Sequence, residues 1–333
     1  MSVRAVRKAG TWQPLAASTE PPSGFASAAT TGFVAWPGYT GSLIRSYKGR
    51  YGAAESGTMG NPTIISGLQW GPDVGSVRID ATAHDITFRG CEVVGWGPEL
   101  GGFHVESGAQ RITFEYCTVH PATPTDNTAG SYTNSRLQYA IYSNGEYTTI
   151  NRCNLYWCPN SIQVNGTGTV VTNTYVHDMT YWSAPTGPGG FTGDHLDCMQ
   201  MNAGVNNVTI TGNTFVLLHH DGAYLNQTSP LALFQDFSPT VAYTNVLIED
   251  NLLAGPVGGG AWLYAGYETG KGGVAGSNVI VRDNLFWDEP FGRGGAPRSG
   301  YQMVLAAQPW GVSGNQWTNN RWYDGPNAGV VVQ

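Results

Sequence analysis

The chain carries little charge. Of its 333 residues only 12% are Asp, Glu, Lys or Arg, and 16 basic side chains against 23 acidic ones leave a net charge of −7. No Lys/Arg cluster follows residue 8, so the electrostatic footprint of a nucleic-acid-binding surface is missing. Long apolar runs are also missing, and none approaches the ~20 residues that a membrane-spanning helix requires. Ser2–Pro14 starts basic, but no apolar stretch of the ~7–15 residues typical of a secretory leader follows it. The expectation is therefore a trimmed chain, or one that reaches the cell exterior by another route, such as assembly into a particle. Cysteines number five, an odd count that argues against a complete disulfide framework. They read as buried free thiols acting as small hydrophobes.

What the chain has in abundance is glycine, 46 residues, and a short recurring phrase. It reads ITFRGCEV at Ile86–Val93, ITFEYCTV at Ile112–Val119 and TTINRCNL at Thr148–Leu155. It continues as GTVVTNTY at Gly168–Tyr175, VTITGNTF at Val208–Phe215, VLIEDNLL at Val246–Leu253 and VIVRDNLF at Val279–Phe286. A worn copy, NQWTNNRW, ends the series at Asn315–Trp322. Taking the Cys or Asn as marker places the copies at Cys91, Cys117, Cys153, Asn173, Asn213, Asn251, Asn284 and Asn320. Recurrence at this spacing is the mark of a solenoid, whose units bury their apolar side only by stacking.

Each unit alternates apolar and polar residues with period two and is broken by Gly and Asn, which describes strands and tight corners. A second strand precedes most copies, as in GFHVESG at Gly102–Gly108, AIYSNG at Ala140–Gly145, SIQVNG at Ser161–Gly166 and CMQMNAG at Cys198–Gly204. The chain resembles the right-handed parallel β-helix superfamily of pectate lyases and phage tailspikes over roughly residues 64–325. The resemblance implies an all-β, right-handed parallel β-helix of about eight coils with a short extended N-terminal arm. Residues 1–40 are expected to be an attachment arm and linker, with Glu20–Ala29 a flexible link. Residues 41–63 are expected to be an irregular first turn or cap, and 64–333 the helix. The opening VRAVRKAGTWQPLA is similar to the start of minor tail proteins of actinobacterial phages. That likeness implies a virion-tail location, attachment to other tail proteins through the arm, a host-surface polysaccharide as partner and, by analogy with tailspikes, a homotrimer.

Titratable side chains concentrate in one region. HLDCMQMN at His195–Asn202 and HHDGAYLN at His219–Asn226 match in both His and Asp, which predicts His195 beside His219 and Asp197 beside Asp221, about 5 Å apart on adjacent turns. Asp194, His177 and Asp178 lie close by in sequence. Two carboxylates so placed repel, raising one pKa, and such a pair serves glycoside hydrolysis. Imidazole and carboxylate could instead ligate a divalent ion, or bond only one another. The three alternatives stay open here, and no cofactor is expected. A β-helix lyase is disfavoured because the middle of the chain offers only Arg136 and Arg152 as basic partners.

A binding stripe runs beside this region. The outward positions of the second strand are read as His104, Tyr142, Gln163, Gln200, Tyr224 and Trp262, with Phe103, Ile141, Ile162, Met199 and Ala223 inward. Aromatic rings and amides repeating every ~5 Å suit sugar rings and their hydroxyls. Tyr181 and Trp182, in the loop before His195, are read as a wall of the groove. Asn144, Asn165, Asn202 and Asn226 at the following corner are read as a structural asparagine ladder.

Overall fold

A computed structural model of the chain describes residues 5–8, 11–14, 20–95, 97–124, 137–180, 196–202, 204–221, 229–234, 241–255, 261–264, 274–287, 304–305, 310–325 and 327–332. The fold is a parallel β-helix. Three long sheets of nine, ten and nine strands are built from one strand per coil, and their neighbours pair in parallel. In the fourth coil Thr149–Asn151 belongs to the first sheet, Asn154–Tyr156 to the second and Asn160–Val164 to the third. Within 41–63 the chain already pairs in this manner, Ile44–Arg45 with Leu68–Gln69 and Arg50–Tyr51 with Arg78–Ile79.

The passage from first to second sheet takes two residues, and their conformations explain the repeated phrase. The first of the two is left-handed in every coil from the second onward: Gly90, Tyr116, Arg152, Asn173, Gly212, Asp250, Asp283 and Asn319 have φ between 50° and 66°. For a non-glycine residue this conformation costs roughly 1–2 kcal/mol, so the next residue must hold the corner. That residue is buried throughout: Cys91, Cys117, Cys153, Thr174, Asn213, Asn251, Asn284 and Asn320. Asn173, taken above as a marker, is thus the corner residue of its coil, and Thr174 is the stacked one. The phrase there slides by one position because Asn suits both places, tolerating the left-handed region and bonding the turn backbone.

In the last four coils the stacked residues form an internal asparagine ladder. Asn251 Oδ1 accepts from the backbone N–H of Asn213 at 3.0 Å and from Asn213 Nδ2 at 2.9 Å. Asn251 Nδ2 donates to Ile210 O and to Asn284 Oδ1, both at 2.9 Å. Asn284 and Asn320 repeat the pattern. In the earlier coils thiols do a weaker version of this work, each Sγ lying 3.4–3.5 Å from a carbonyl of the preceding coil. All five cysteines are free and buried, and burial pushes Cys91, Cys117 and Cys198 well above the usual thiol range.

Val, Ile, Leu, Met and Phe from all three sheets fill the interior. Aromatic groups crowd both ends of it, with Tyr51, Trp70, Phe88, Phe103 and Phe114 at one and Trp262, Phe286, Trp317 and Trp322 at the other. The C-terminal residues turn back over the last coil, where Val332 O accepts from Trp317 Nε1 at 2.8 Å.

Residues 20–40 lie along the outer face of the helix. Glu20–Ala29 is therefore not the free link expected from its Pro, Ser and Ala content. Phe25 packs edge-on against Tyr323 of the last coil, and Ala26 joins Tyr175, Val216, Leu252 and Ala254 in a small apolar cluster on the second sheet. Further on, Gly32 N–H donates to Arg152 O at 2.8 Å and Phe33 N–H to Thr118 Oγ1 at 3.2 Å. Trp36 rests on Gly90, where a Cβ would stand 2.2 Å from the indole. The segment is a strap running against the direction of coiling, from the last coil to the second. The apolar outer positions of the second sheet explain why it docks there.

Replacing Asn251 by Ala should destabilise the protein by about 2–4 kcal/mol, because it strands buried N–H and C=O groups in the two flanking coils. Asn278→Ala, in the exposed ladder formed by Asn207, Asn245 and Asn278, should cost less, about 1 kcal/mol, most of it from placing Ala at a left-handed φ of 53°. Guanidinium unfolding of the two variants checks this. Equal losses would mean that burial of the ladder is unimportant.

Candidate functional site

The site begins with where chain length is spent. First and second sheets are joined by two-residue corners, as between Thr244–Glu249 and Leu252–Ala254. Connections at the third sheet vary instead. That into it is short in the fourth coil, between Asn154–Tyr156 and Asn160–Val164, but long in the fifth, between Tyr175–His177 and Asp197–Asn202. That out of it lengthens in the sixth, between Ser229–Phe234 and Thr244–Glu249. A rigid sheet flanked by variable connections is the usual arrangement for a site on a repetitive scaffold.

On the outward side of the third sheet one register row runs Arg50, Arg78, His104, Tyr142, Gln163, Gln200, Ala232, Tyr264. Four of the stripe positions read from the sequence, His104, Tyr142, Gln163 and Gln200, thus stand in one line. The alternating residues Phe103, Ile141, Ile162 and Met199 are buried, as their parity demands. The other two positions were misassigned. Ala232 occupies the place given to Tyr224, and Leu231 that given to Ala223, because the strand of that coil is Ser229–Phe234. Tyr264 occupies the place given to Trp262, which precedes its strand and buries its indole against Phe286 and Trp322. Tyr224, Ala223, Tyr181, Trp182 and Asn226 lie outside the described residues.

The row is bound together by amides. Gln200 Nε2 donates to Gln163 Oε1, Gln163 Nε2 to Asn165 Oδ1 at 2.9 Å, and Asn165 Nδ2 to Asn144 Oδ1 at 2.7 Å. Of the expected corner ladder, Asn144 and Asn165 are therefore bonded, while Asn202 is exposed. Beside the amides the rings of His104 and Tyr142 lie 5.1 Å apart, and Tyr139 stands 5.1 Å from Tyr142. Toward the first coil the row becomes ionic, with Arg50–Asp80 at 2.6 Å and Arg78–Glu106 at 2.8 Å. Tyr139, Tyr142, Asn144, Asn165 and Gln200 are half-buried, whereas His104 and Gln163 are buried.

The expected carboxylate pair is not formed by stacking. On adjacent coils Asp197 faces Asn160 and Ser229, whereas His219 bridges to Met179. His195–Asp197 leads into a third-sheet strand, and His219–Asp221 trails from a second-sheet one. The shared phrase therefore sits at different points of two coils of unequal length. Asp197 is fully buried, and the Asp221 side chain is 56% exposed. His219 pairs with Asp221 at 2.5 Å, and His177 with Asp178 at 2.8 Å and with Asn154 at 2.9 Å. Asp194 and His195 lie outside the described residues. Among the described residues no group of three or more His, Cys, Asp or Glu could hold a metal ion.

A second constellation escaped the sequence reading. On the outer face of the second sheet His120, Tyr156 and His177 stack in register, with ring centroids 4.6 and 5.2 Å apart and planes 10° and 29° from parallel. Trp157 stands perpendicular to His120 and Tyr156. Each ring stands three residues after a ladder residue (Cys117, Cys153, Thr174), a regularity hidden by the misplaced marker Asn173.

No protein-family model matches the chain, and no curated protein matches it. Among solved structures, the Streptococcus pneumoniae surface protein and adhesin PfbA is similar over 78% of this chain and 76% of that one, with 11% identity and a TM-score of 0.36. At that level the likeness says nothing about what this chain binds.

His104 supplies a pH test. Burial, and after it the charge of Arg78, hold its pKa below the usual histidine value. Its neutral form is thus favoured on folding. The stability it contributes is present above its unfolded pKa of about 6.5 and is lost as pH falls through that value toward the lower folded one. The melting temperature should therefore drop less between about pH 7.5 and pH 5 in His104→Gln than in wild type, measured by calorimetry.

Proposed function

We propose that the protein is a glycan-binding β-helix, displayed on a larger particle such as a virion tail, whose third-sheet strip recognises surface polysaccharide. The observation that carries this is the unbroken row His104, Tyr142, Gln163, Gln200 on the sheet where the long connections converge. Tyr142 and Tyr139 offer ring faces to the apolar side of a sugar, and the amides of Gln200, Asn165 and Asn144 offer paired donors and acceptors to its hydroxyls. A linear polymer suits a linear strip, since each coil advances about 4.8 Å. Binding is favoured over hydrolysis because Asp197 and Asp221 are not cross-strand neighbours, which removes the stacking argument for an acid and ionised-base couple.

The arm supports the second half of the reading. Ala5–Lys8 and Thr11–Pro14 form an antiparallel hairpin that sets Arg7 opposite Trp12, a small basic and aromatic element separate from the three long sheets. Association of three copies through this arm or one helix face completes the proposal, and light scattering of the full chain and of a chain lacking residues 1–14 tests it.

For the glycan itself, Tyr142→Ala and Gln200→Ala should each weaken adsorption to host envelope about tenfold, the worth of one ring or bonded amide contact. Folding should be retained, because both side chains are only half buried. Unchanged adsorption in both variants would defeat the reading. Release of reducing ends from envelope by the wild type, abolished in Asp197→Asn, would replace it with hydrolysis.

A further inference from the structure

The stacked rings of the second sheet lie on a different face from the third-sheet strip, and nothing in the proposed function uses them. They occupy coils three to five, where His120, Tyr156 and His177 share one outward row. Each imidazole is anchored by a carboxylate, His120 by Glu92 at 3.3 Å and His177 by Asp178 at 2.8 Å. The Tyr156 hydroxyl between them has no hydrogen-bond partner among the described residues. Burial first, then the negative charges of Glu92 and Asp178, push its pKa up, so the hydroxyl keeps its proton and remains a donor. Trp157 is held in the left-handed region at φ 60°, its N–H donating to Asp178 O at 3.0 Å, and its ring stands at 88° to those of Tyr156 and His120. The strap comes close but stops short: its hydrogen bonds reach Thr118 and Arg152, not this row.

We infer that Trp157, Tyr156 and Asp178 form a second saccharide site, specific for a neutral hexose unit. The indole supplies a stacking face, the tyrosine hydroxyl a donor, and the part-exposed Asp178 carboxylate an acceptor for sugar hydroxyls. Two carboxylates bordering the site, Glu92 and Asp178, disfavour an anionic sugar. With one site on each of two faces, a single helix could hold two segments of a polymer, and the tethered second contact would raise avidity.

The experiment uses the full chain and an array of neutral hexose oligosaccharides printed beside uronate-bearing counterparts. Third-sheet binding is first removed with Tyr142→Ala/Gln200→Ala. That background should still bind neutral members of the array, and adding Trp157→Ala should lower the remaining affinity about tenfold or more. Trp157→Phe, which keeps a ring face, should restore part of it, and unchanged melting curves would show that the variants fold. Residual binding that ignores Trp157, residual binding confined to uronates, or no residual binding at all would each overturn the inference. If Tyr142→Ala/Gln200→Ala binds as wild type does, the third-sheet reading fails while this site remains open to the Trp157 comparison.

Discussion

The structure depends on one corner. Between first and second sheets the backbone passes through a single left-handed residue, coil after coil, and the next side chain stacks inward on its equivalents above and below. A left-handed residue is unfavourable alone, and an asparagine buried alone would be costly to desolvate. Together they stabilise each other. The amide accepts the backbone N–H and side-chain amide hydrogens of the preceding neighbour, donates to a backbone carbonyl of that same coil, and donates to the side-chain oxygen of the following neighbour. A ladder of this kind fixes the angle between two sheets and the register of every strand that leaves the corner. The third sheet inherits its order from it.

The rest follows by contrast. Because the first-to-second corner is invariant, variation in coil length is confined to the connections that enter and leave the third sheet. That confinement puts the adaptable part of the molecule around one face and leaves the first sheet regular, with Arg89–Glu115 and Arg282–Glu249 pairs at 2.6 Å along its outer surface. The second sheet is divided. Its later coils present apolar side chains that the strap covers, and its earlier coils present the stacked rings.

The ladder also shows how one position can be filled in chemically different ways. Thiols serve in coils two to four, a threonine in coil five and asparagines from coil six on. Thr174 is the junction, with Oγ1 accepting from Cys153 N–H at 3.3 Å while its own N–H donates to Asn213 Oδ1 at 2.9 Å. The thiol end sits amid the larger aromatic cluster of Phe88, Phe103 and Phe114, where small apolar groups pack well.

The sequence by itself determined the coil. Period-two alternation, a recurring corner and a stacking Cys or Asn are local signals, and they sufficed to identify a parallel β-helix and to align His104, Tyr142, Gln163 and Gln200 on one face. Those four lie in strands separated by only four or five residues from the next first-sheet strand, so a short connection ties them to the register of the repeated phrase. What only the tertiary structure decided is everything that depends on the length of a connection. Asp197 and Asp221 share a phrase but not a rung, since one phrase precedes a third-sheet strand and the other follows a second-sheet strand. Tyr224 and Trp262 yield their places to Ala232 and Tyr264 for the same reason. The strap was illegible because it makes no repeat, and its docking is dictated by apolar positions spread over several coils. The ring stack of His120, Tyr156 and His177 is built from residues far apart in sequence. Only hydrogen bonding between coils brings such residues within about 5 Å of one another.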